Sequence, residues 1–189
     1  MHKLAIFASG SGSNAENIVS YFRARPEHNT EVSLILCNNP EAFVLKRAEK
    51  LGIPAVCLSR AQLSDADVVL PILRQAEADF LVLAGYLCQI PAGLVAAYPN
   101  AIVNIHPALI PKHCGKGMYG DRVHQAVVAD GDTESGITIH YVNEEYDSGQ
   151  IIFRAKCPVL PTDDFHAVAE KVHALEYRHF PEVIASLLK

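Results

Sequence analysis

The chain has 189 residues, half of them hydrophobic, so it can bury a complete core and is expected to form a single domain over residues 1–189. Its formal net charge of -5 argues against a nucleic-acid-binding surface and favours small-molecule partners. Its apolar runs are too short for a signal peptide or a membrane span, which indicates a cytoplasmic protein without membrane contact.

Cysteines and histidines are the first candidates for metal ligands in this sequence. The 5 cysteines form no Cys-x-x-Cys pair, which predicts free thiols rather than a disulfide framework or a zinc site. The 9 histidines form no His-x-x-x-His pair. The sequence therefore predicts no metal, and it leaves the oligomeric state open.

In the first half of the chain, short apolar runs alternate with amphipathic stretches. Strands are predicted over residues 4–8, 32–37, 55–58 and 80–84, and helices over residues 13–25, 41–51, 66–78 and 91–97. This alternation is typical of βαβ units. It predicts an α/β fold with a mostly parallel sheet and helices on both faces.

The pattern changes in the second half. A strand over residues 101–104 is followed by a Gly-rich loop, a helix over residues 121–129, strands over residues 136–143 and 150–157, and a closing helix from Asp163. The two later strands flank a turn at residues 144–149. They predict an antiparallel pair in the C-terminal half.

Residues 9–15 read Ser-Gly-Ser-Gly-Ser-Asn-Ala and follow the first predicted strand directly. Glycines allow close backbone approach, and free N–H groups at a helix start favour an anion, which predicts phosphate binding. The Gly-x-Gly-x-x-Ala pattern also fits a dinucleotide site, but residues 37–39, Cys-Asn-Asn, lack the acid that holds a ribose. A phosphorylated mononucleotide is thus favoured over a nicotinamide cofactor. The structural alternative is a tight turn with Ser13 as helix N-cap.

Residues 104–111 read Asn-Ile-His-Pro-Ala-Leu-Ile-Pro and carry the strongest chemical signal. Side chains alternate along a strand, so Asn104 and His106 are expected on one face. An amide can stabilise an oxyanion and an imidazole can move a proton, as acyl transfer requires. Asp147 is expected to return over the same sheet edge and to raise the pKa of His106. Taken separately, His106 also fits a histidine at a strand end whose hydrogen bonds are made within the fold, and Asp147 fits an ordinary Asp-Ser-Gly turn.

Four segments in the same order resemble the phosphoribosylglycinamide formyltransferase family of folate-dependent enzymes. They read Gly-Ser-Gly-Ser-Asn at 10–14, Leu-Ala-Gly-Tyr at 83–86, Asn-Ile-His-Pro at 104–107 and Tyr-Asp-Ser-Gly-Gln-Ile-Ile at 146–152. The resemblance implies a Rossmann-like formyltransferase fold. It also implies transfer of a formyl group from the co-substrate 10-formyltetrahydrofolate to the amine of 5′-phosphoribosylglycinamide in purine biosynthesis. Residues 1–100 would form the nucleotide/phosphate half, and residues 101–189 the catalytic and folate-binding half.

The resemblance also implies roles for individual residues. Gly12, Ser13 and Asn14 would hold the substrate phosphate, and Glu176 with His173 the nucleotide. Asn104 and a protonated His106 would stabilise the oxyanion, while Asp147 supports the imidazolium and assists proton transfer through water. The residues implied for folate binding are Leu87, Cys88, Gln89, Ile90, Asn104, Val142 and Glu145.

The chain departs from the family pattern at several positions. Ala108 lacks the hydroxyl of a familiar serine, Cys88 and Gln89 replace a Met-Arg pair, and Arg60 is only a candidate for the folate tail. The long loop of residues 112–120 fits either a substrate lid or a solvated loop. The alternatives in function are a 10-formyltetrahydrofolate hydrolase or a formyltransferase for another amine. A nucleotide-binding module or an NAD enzyme would leave the three catalytic candidates without a role.

Overall fold

The computed structural model describes residues 1–188. The strands are β1 His2–Ala8, β2 Thr30–Cys37, β3 Ala55–Cys57, β4 Phe80–Leu83, β5 Ile102–His106, β6 Glu134–Tyr141 and β7 Ile151–Pro158. The helices are α1 Ser13–Arg23, α2 Phe43–Leu51, α3 Arg60–Leu63, α4 Ala66–Gln75, α5 Ala92–Ala97, α6 Asp121–Ala129 and α7 Phe165–Leu187, with a 3-10 turn at Pro26–His28.

All seven strands form one sheet in the order β3-β2-β1-β4-β5-β6-β7. The five strands β3, β2, β1, β4 and β5 pair in parallel with their neighbours. Strand β6 pairs antiparallel with both β5 and β7. The predicted mostly parallel sheet and the antiparallel pair are confirmed. The antiparallel contact between β5 and β6 was not predicted.

Helices cover both faces of the sheet. Along β1, Leu4 and Ile6 pack with α1, α2 and α7, while Ala5 and Phe7 pack with α3, α4 and α5. All four are at most 1% exposed. Each large side chain buried in this way stabilises the fold by about 1.5–3 kcal/mol, so both layers contribute to the core.

Several helix boundaries differ from the predictions for local reasons. Helix α1 ends before residue 25 because Pro26 disfavours a helical Arg25, whose φ and ψ are -136 and 67. Helix α2 begins after residue 41 because Asn39 Oδ1 accepts the Glu41 N–H at 3.0 Å, which forms a turn. Helix α4 ends at Gln75, and the left-handed φ of 51 at Glu77 prevents continuation to residue 78.

The strand order reverses between β1 and β4, which is where open α/β sheets bind ligands, at the carboxyl ends of the strands. The loops that follow these two strands are tied together there. Ser9 Oγ accepts the Leu87 N–H at 2.9 Å, and the Ser9 N–H donates to the Gly85 carbonyl at 3.0 Å. The topology thus places a crevice beside residues 9–15.

Within the described residues, no helix combines the length and the apolar character needed to cross a membrane.

Candidate active site

A cavity of about 560 Å³ occupies this crevice. Its walls come from the loops after β1 and β4, the end of β5, residues 115–120 and the turn before β7. His173 and Glu176 of α7 close one side. The cavity therefore contains predicted phosphate, nucleotide and catalytic residues together.

The three predicted catalytic residues converge at this cavity. Strand β5 extends to His106 through its pairing with β6, which puts Asn104 and His106 on the same face of one strand. Asp147 Oδ1 lies 3.4 Å from Asn104 Nδ2, and Asp147 Oδ2 lies 3.6 Å from His106 Nδ1. The Gly115 N–H donates to Asp147 Oδ2 at 2.9 Å. One carboxylate thus contacts both groups on β5 and the long loop.

His140 is a site residue that was not predicted, and it is paired with Asn104 across the β5–β6 ladder. His140 Nδ1 lies 2.8 Å from the Tyr141 carbonyl and must carry a proton to donate to it. Nε2 of the same ring lies 3.6 Å from Asp147 Oδ1 and 3.1 Å from Asn104 Nδ2. This contact orients the amide. Alternation along β6 would have revealed His140 if its pairing with β5 had been predicted.

The predicted direction of the His106 pKa shift is wrong. Burial lowers the pKa of His106, which is only 4% exposed, and this effect exceeds the opposing influence of Asp147. The charges of His140 and His113 lower it further. The imidazole is therefore neutral near pH 7, with Nε2 donating to the His113 carbonyl at 2.7 Å.

Asp147 is held as an ionised carboxylate. Burial alone would raise its pKa, but contacts with His140, His106 and the Gly115 N–H lower the pKa below its ordinary value. Its left-handed φ of 51 is a conformation that aspartate tolerates better than most residues. A Cβ on Gly149 would overlap the Tyr141 carbonyl oxygen, which explains the glycine of the Asp-Ser-Gly turn.

The loop of residues 9–15 has the geometry of an anion site. Gly12, with φ 72, occupies the N-cap of α1 without a side-chain cap, so Ser13 is the first helical residue and not the cap. A Cβ on Gly12 would overlap Val44. The Ser13 N–H makes only a long contact of 3.3 Å with Ser11 Oγ, while Arg47 Nε donates to the Ser11 carbonyl at 2.9 Å. The contact with Arg47 supports the loop from outside the cavity, and the start of α1 faces the cavity.

The predicted nucleotide residues lie beside this loop. Asn14 Nδ2 donates to Glu176 Oε2 at 2.9 Å, and burial raises the pKa of Glu176. His173 stands perpendicular to His124, a residue that the sequence reasoning missed, at 6.1 Å between ring centroids. Burial, together with His173, lowers the pKa of His124 to about 4. Asn14 Oδ1 and His124 Nδ1 are buried and have no hydrogen-bond partner among residues 1–188.

Some of the residues predicted to bind folate line the cavity and others do not. Leu87 and Asn104 line the cavity. In the described part of the chain, the predicted residues that do not line it are Cys88, Gln89, Ile90, Val142 and Glu145. Gln89 Nε2 donates to the Glu144 carbonyl at 2.6 Å and so joins the two segments expected to flank the folate. The Leu87 and Val142 N–H groups are already bonded, to Ser9 Oγ and to the Ile102 carbonyl.

Other cationic side chains reach the same cavity. Arg60, Lys116 and Arg122 all line it. A contact between Arg60 and the folate tail stays a prediction. Among the residues described, no three His, Cys, Asp or Glu side chains are grouped to hold a metal ion.

An amide, an imidazole and a carboxylate beside an anion-binding helix start are the groups of an acyl-transfer site for a phosphorylated substrate. Residues 2–184 match the family model described as Formyl transferase, and the chain belongs to this family. The family and the fold predicted from the sequence are confirmed.

Individual relatives agree with this assignment. The chain is 40% identical, over 98% of its length, to the chloroplastic phosphoribosylglycinamide formyltransferase of Vigna unguiculata, and 39% identical, again over 98%, to that of Arabidopsis thaliana. It spans 60% and 65% of these two plant proteins. It is 37% identical to phosphoribosylglycinamide formyltransferase of Bacillus subtilis, covering 100% of this chain and 95% of that protein. The solved structure of glycinamide ribonucleotide transformylase 1 from Geobacillus kaustophilus matches with a TM-score of 0.89 and 34% identity, covering 100% of both chains.

Proposed function

We propose that the chain transfers the formyl group of 10-formyltetrahydrofolate to the amine of 5′-phosphoribosylglycinamide, a step of purine biosynthesis. The observation that carries the proposal is the convergence of Asn104, His106 and Asp147 in one cavity with residues 9–15. The relatives named phosphoribosylglycinamide formyltransferase support the same reaction.

The phosphate of the nucleotide substrate is assigned to Gly12, Ser13 and Asn14. A negative charge at the start of a helix gains roughly 0.3–1 kcal/mol from the helix dipole, and unbonded N–H groups add hydrogen bonds. Glu176 and His173 are assigned to the rest of the nucleotide. The unpartnered Asn14 Oδ1 supports a polar ligand here, because buried polar atoms are normally hydrogen-bonded.

The formyl donor is assigned to the side of the cavity between Leu87 and the turn that carries Asp147. Leu87 is 39% exposed and offers an apolar contact. Asn104 then lies between the two substrates. Folate contacts from Cys88, Gln89, Ile90, Val142 and Glu145 remain predictions.

The proposed reaction begins when the neutral amine of the nucleotide attacks the formyl carbon. A new C–N bond forms and the formyl oxygen becomes an oxyanion. Asn104 Nδ2 donates to this oxyanion, since its contact with Asp147 is long at 3.4 Å and can be exchanged for a shorter one. Contact with His140 keeps the amide in the required orientation.

The proton on the attacking nitrogen must reach N10 of the folate as the bond from N10 to the formyl carbon breaks. Asp147 is ionised and faces Nδ1 of His106, whose imidazole is neutral. We infer that Nδ1 accepts a proton during the reaction and that Asp147 stabilises the transient imidazolium. A water molecule connects this pair to the substrate nitrogens. His106 is thus a proton carrier rather than a permanent cation.

We propose one domain with residues 1–100 as the nucleotide/phosphate half and residues 101–189 as the catalytic and folate half. The continuous sheet supports one domain, although Glu176 and Leu87 contribute across this division. The proposed compartment is the cytoplasm, in agreement with the free thiols of all 5 cysteines. Two plant relatives are chloroplastic by name, so cell fractionation is the direct test.

The experiment that tests the function measures tetrahydrofolate release from 10-formyltetrahydrofolate by the purified protein, with and without the nucleotide. Turnover should require the nucleotide, and the product should gain the mass of one formyl group. Formate release that ignores the nucleotide would instead identify a hydrolase and contradict the assignment of residues 9–15.

Three variants test the catalytic assignment. Asn104→Ala, His106→Ala and Asp147→Asn should each lower kcat about 10²–10³-fold while the protein stays folded. Asparagine is used at 147 because it tolerates the left-handed φ of 51. The exposed residues His166 and Asp67 provide matched controls as His166→Ala and Asp67→Asn, which should retain wild-type kcat. Near-normal activity of His106→Ala would contradict its role.

A further inference from the structure

The catalytic imidazole is anchored to the loop of residues 112–120 by a main-chain group. His106 Nε2 donates to the His113 carbonyl at 2.7 Å. His113 has a left-handed φ of 50, a conformation that non-glycine residues uncommonly adopt. Such a conformation persists only where neighbouring contacts hold it. The side chain of His113 makes such contacts.

The His113 side chain is held by carboxylates from the turn between α6 and β6. Its Nε2 lies 2.7 Å from Asp132 Oδ2, and its Nδ1 lies 3.8 Å from Asp130 Oδ2. The His113 and Asp132 side chains are only 8% and 14% exposed. Lys112 pairs with the other Asp132 oxygen at 2.6 Å but is 67% exposed. Because solvent screens exposed ion pairs, the contact of Asp132 with the buried His113 is the less screened of the two.

We propose that His113 and Asp132 are positioning residues for His106. Their contact, the His113–Asp132 clamp, fixes the His113 carbonyl, and this carbonyl holds the proton of His106 on Nε2 and turns Nδ1 toward Asp147. The inference rests on the proposed function, because it assigns the clamp a role in the same reaction.

The position of the clamp separates this role from substrate binding. His113 and Asp132 do not line the main cavity; they line a second cavity of about 190 Å³ beyond the catalytic histidine. Loss of the clamp would free the carbonyl and let His106 place its proton on Nδ1. That tautomer cannot accept a proton at Nδ1, so turnover would fall without a change in substrate binding.

Two variants remove the clamp and two serve as controls. His113→Asn keeps a residue that tolerates the left-handed backbone but is too short to reach Asp132, and Asp132→Ala removes the partner. His113→Gln retains a side-chain N–H of similar reach and should rescue function. Lys112→Met removes only the exposed partner of Asp132.

We expect His113→Asn and Asp132→Ala to lower kcat roughly 10- to 100-fold, as misplacement of a catalytic group does. The KM values for both substrates should stay within about twofold of wild type. The kcat of the double variant should be no lower than that of the less active single variant, because both changes remove the same contact. His113→Gln and Lys112→Met should keep wild-type kcat. A raised KM with unchanged kcat, or unchanged kcat in Asp132→Ala, would overturn the inference.

The tautomer of His106 is read separately by ¹⁵N NMR of the substrate-free protein. Wild type and Lys112→Met should show the Nε2–H form, and His113→Asn and Asp132→Ala a mixture of tautomers. An unchanged Nε2–H form in both clamp variants would overturn the inference. If His113→Asn fails to fold, the comparison of Asp132→Ala with Lys112→Met decides. Because this readout needs no substrate, it still tests the clamp if the proposed transferase activity is absent.

Discussion

At His106 two opposing influences act on one imidazole. Burial lowers its pKa, while the charge of Asp147 raises it less strongly. The pKa should therefore lie below 6.5 in wild type and fall further in Asp147→Asn, because the opposing charge is removed. NMR titration of the His106 ring in the substrate-free protein measures both values.

The signal is assigned by its loss in His106→Gln. Asp67→Asn removes an exposed carboxylate and should leave the titration midpoint where it is. A wild-type midpoint above 6.5 would restore the imidazolium expected from the sequence, whereas a midpoint that rises in Asp147→Asn would contradict the effect assigned to the Asp147 charge.

Single residues were predictable where a local pattern defines them. Asn104 and His106 follow from alternation along a strand, and Asp147 from the turn that follows an apolar run. The direction of the His106 pKa shift was not predictable, because it depends on how completely the surrounding elements exclude water. His140 was missed for a related reason, since its contact with Asn104 depends on a strand pairing between distant segments.

At the scale of elements, the loop between β1 and α1 depends on the absence of a side chain at Gly12. Gly12→Ala would force a left-handed alanine against Val44 and displace the first N–H groups of α1. We expect KM for the nucleotide to rise about tenfold or more, the equivalent of roughly 1.4 kcal/mol, with little change in KM for the folate. Steady-state kinetics with each substrate varied in turn measures this.

The same loop contains its own control. A Cβ on Gly10 would meet no atom within 4 Å, and its φ is not in the left-handed region. Gly10→Ala should therefore bind the nucleotide as wild type does. Equal losses in both variants would mean that the loop tolerates no change for reasons other than the contact with Val44.

The order of the strands and of helices α1, α2, α4 and α5 in the first half was predictable, because strands buried on both sides read as short apolar runs between amphipathic helices. The short helix α3 was not predicted. The ends of the helices were less predictable. Pro26 was visible in the sequence, but the left-handed Glu77 that ends α4 gives no such signal, since glutamate is rarely found there. The antiparallel contact between β5 and β6 was also missed, because alternation within a strand does not identify its neighbour.

At the scale of the whole molecule, buried histidines make stability depend on pH. His124 is 1% exposed and its pKa is lowered from 6.5 to about 4, so unfolding takes up a proton between these pH values. The free energy of unfolding must then fall as the pH falls through this window. Between pH 7 and pH 5, His124 alone should account for a loss of roughly 2 kcal/mol.

Urea unfolding of wild type and His124→Gln at the two pH values measures this contribution. The variant should lose less stability than wild type on acidification. The raised pKa of Glu176 acts in the opposite direction but is present in both proteins, so the difference isolates His124. His166→Gln, an exposed change, should follow wild type. Equal losses in wild type and His124→Gln would contradict a buried neutral imidazole.

The hydrogen bond between Asn14 and Glu176 joins residues 162 positions apart, one in the first helix and one in the last. A contact of such long range forms only after the intervening chain has been organised. During refolding, the nucleotide end of the cavity does not exist until α7 packs beside α1. Recovery of activity therefore reports that the first and last helices have come together, which recovery of helical signal alone does not show.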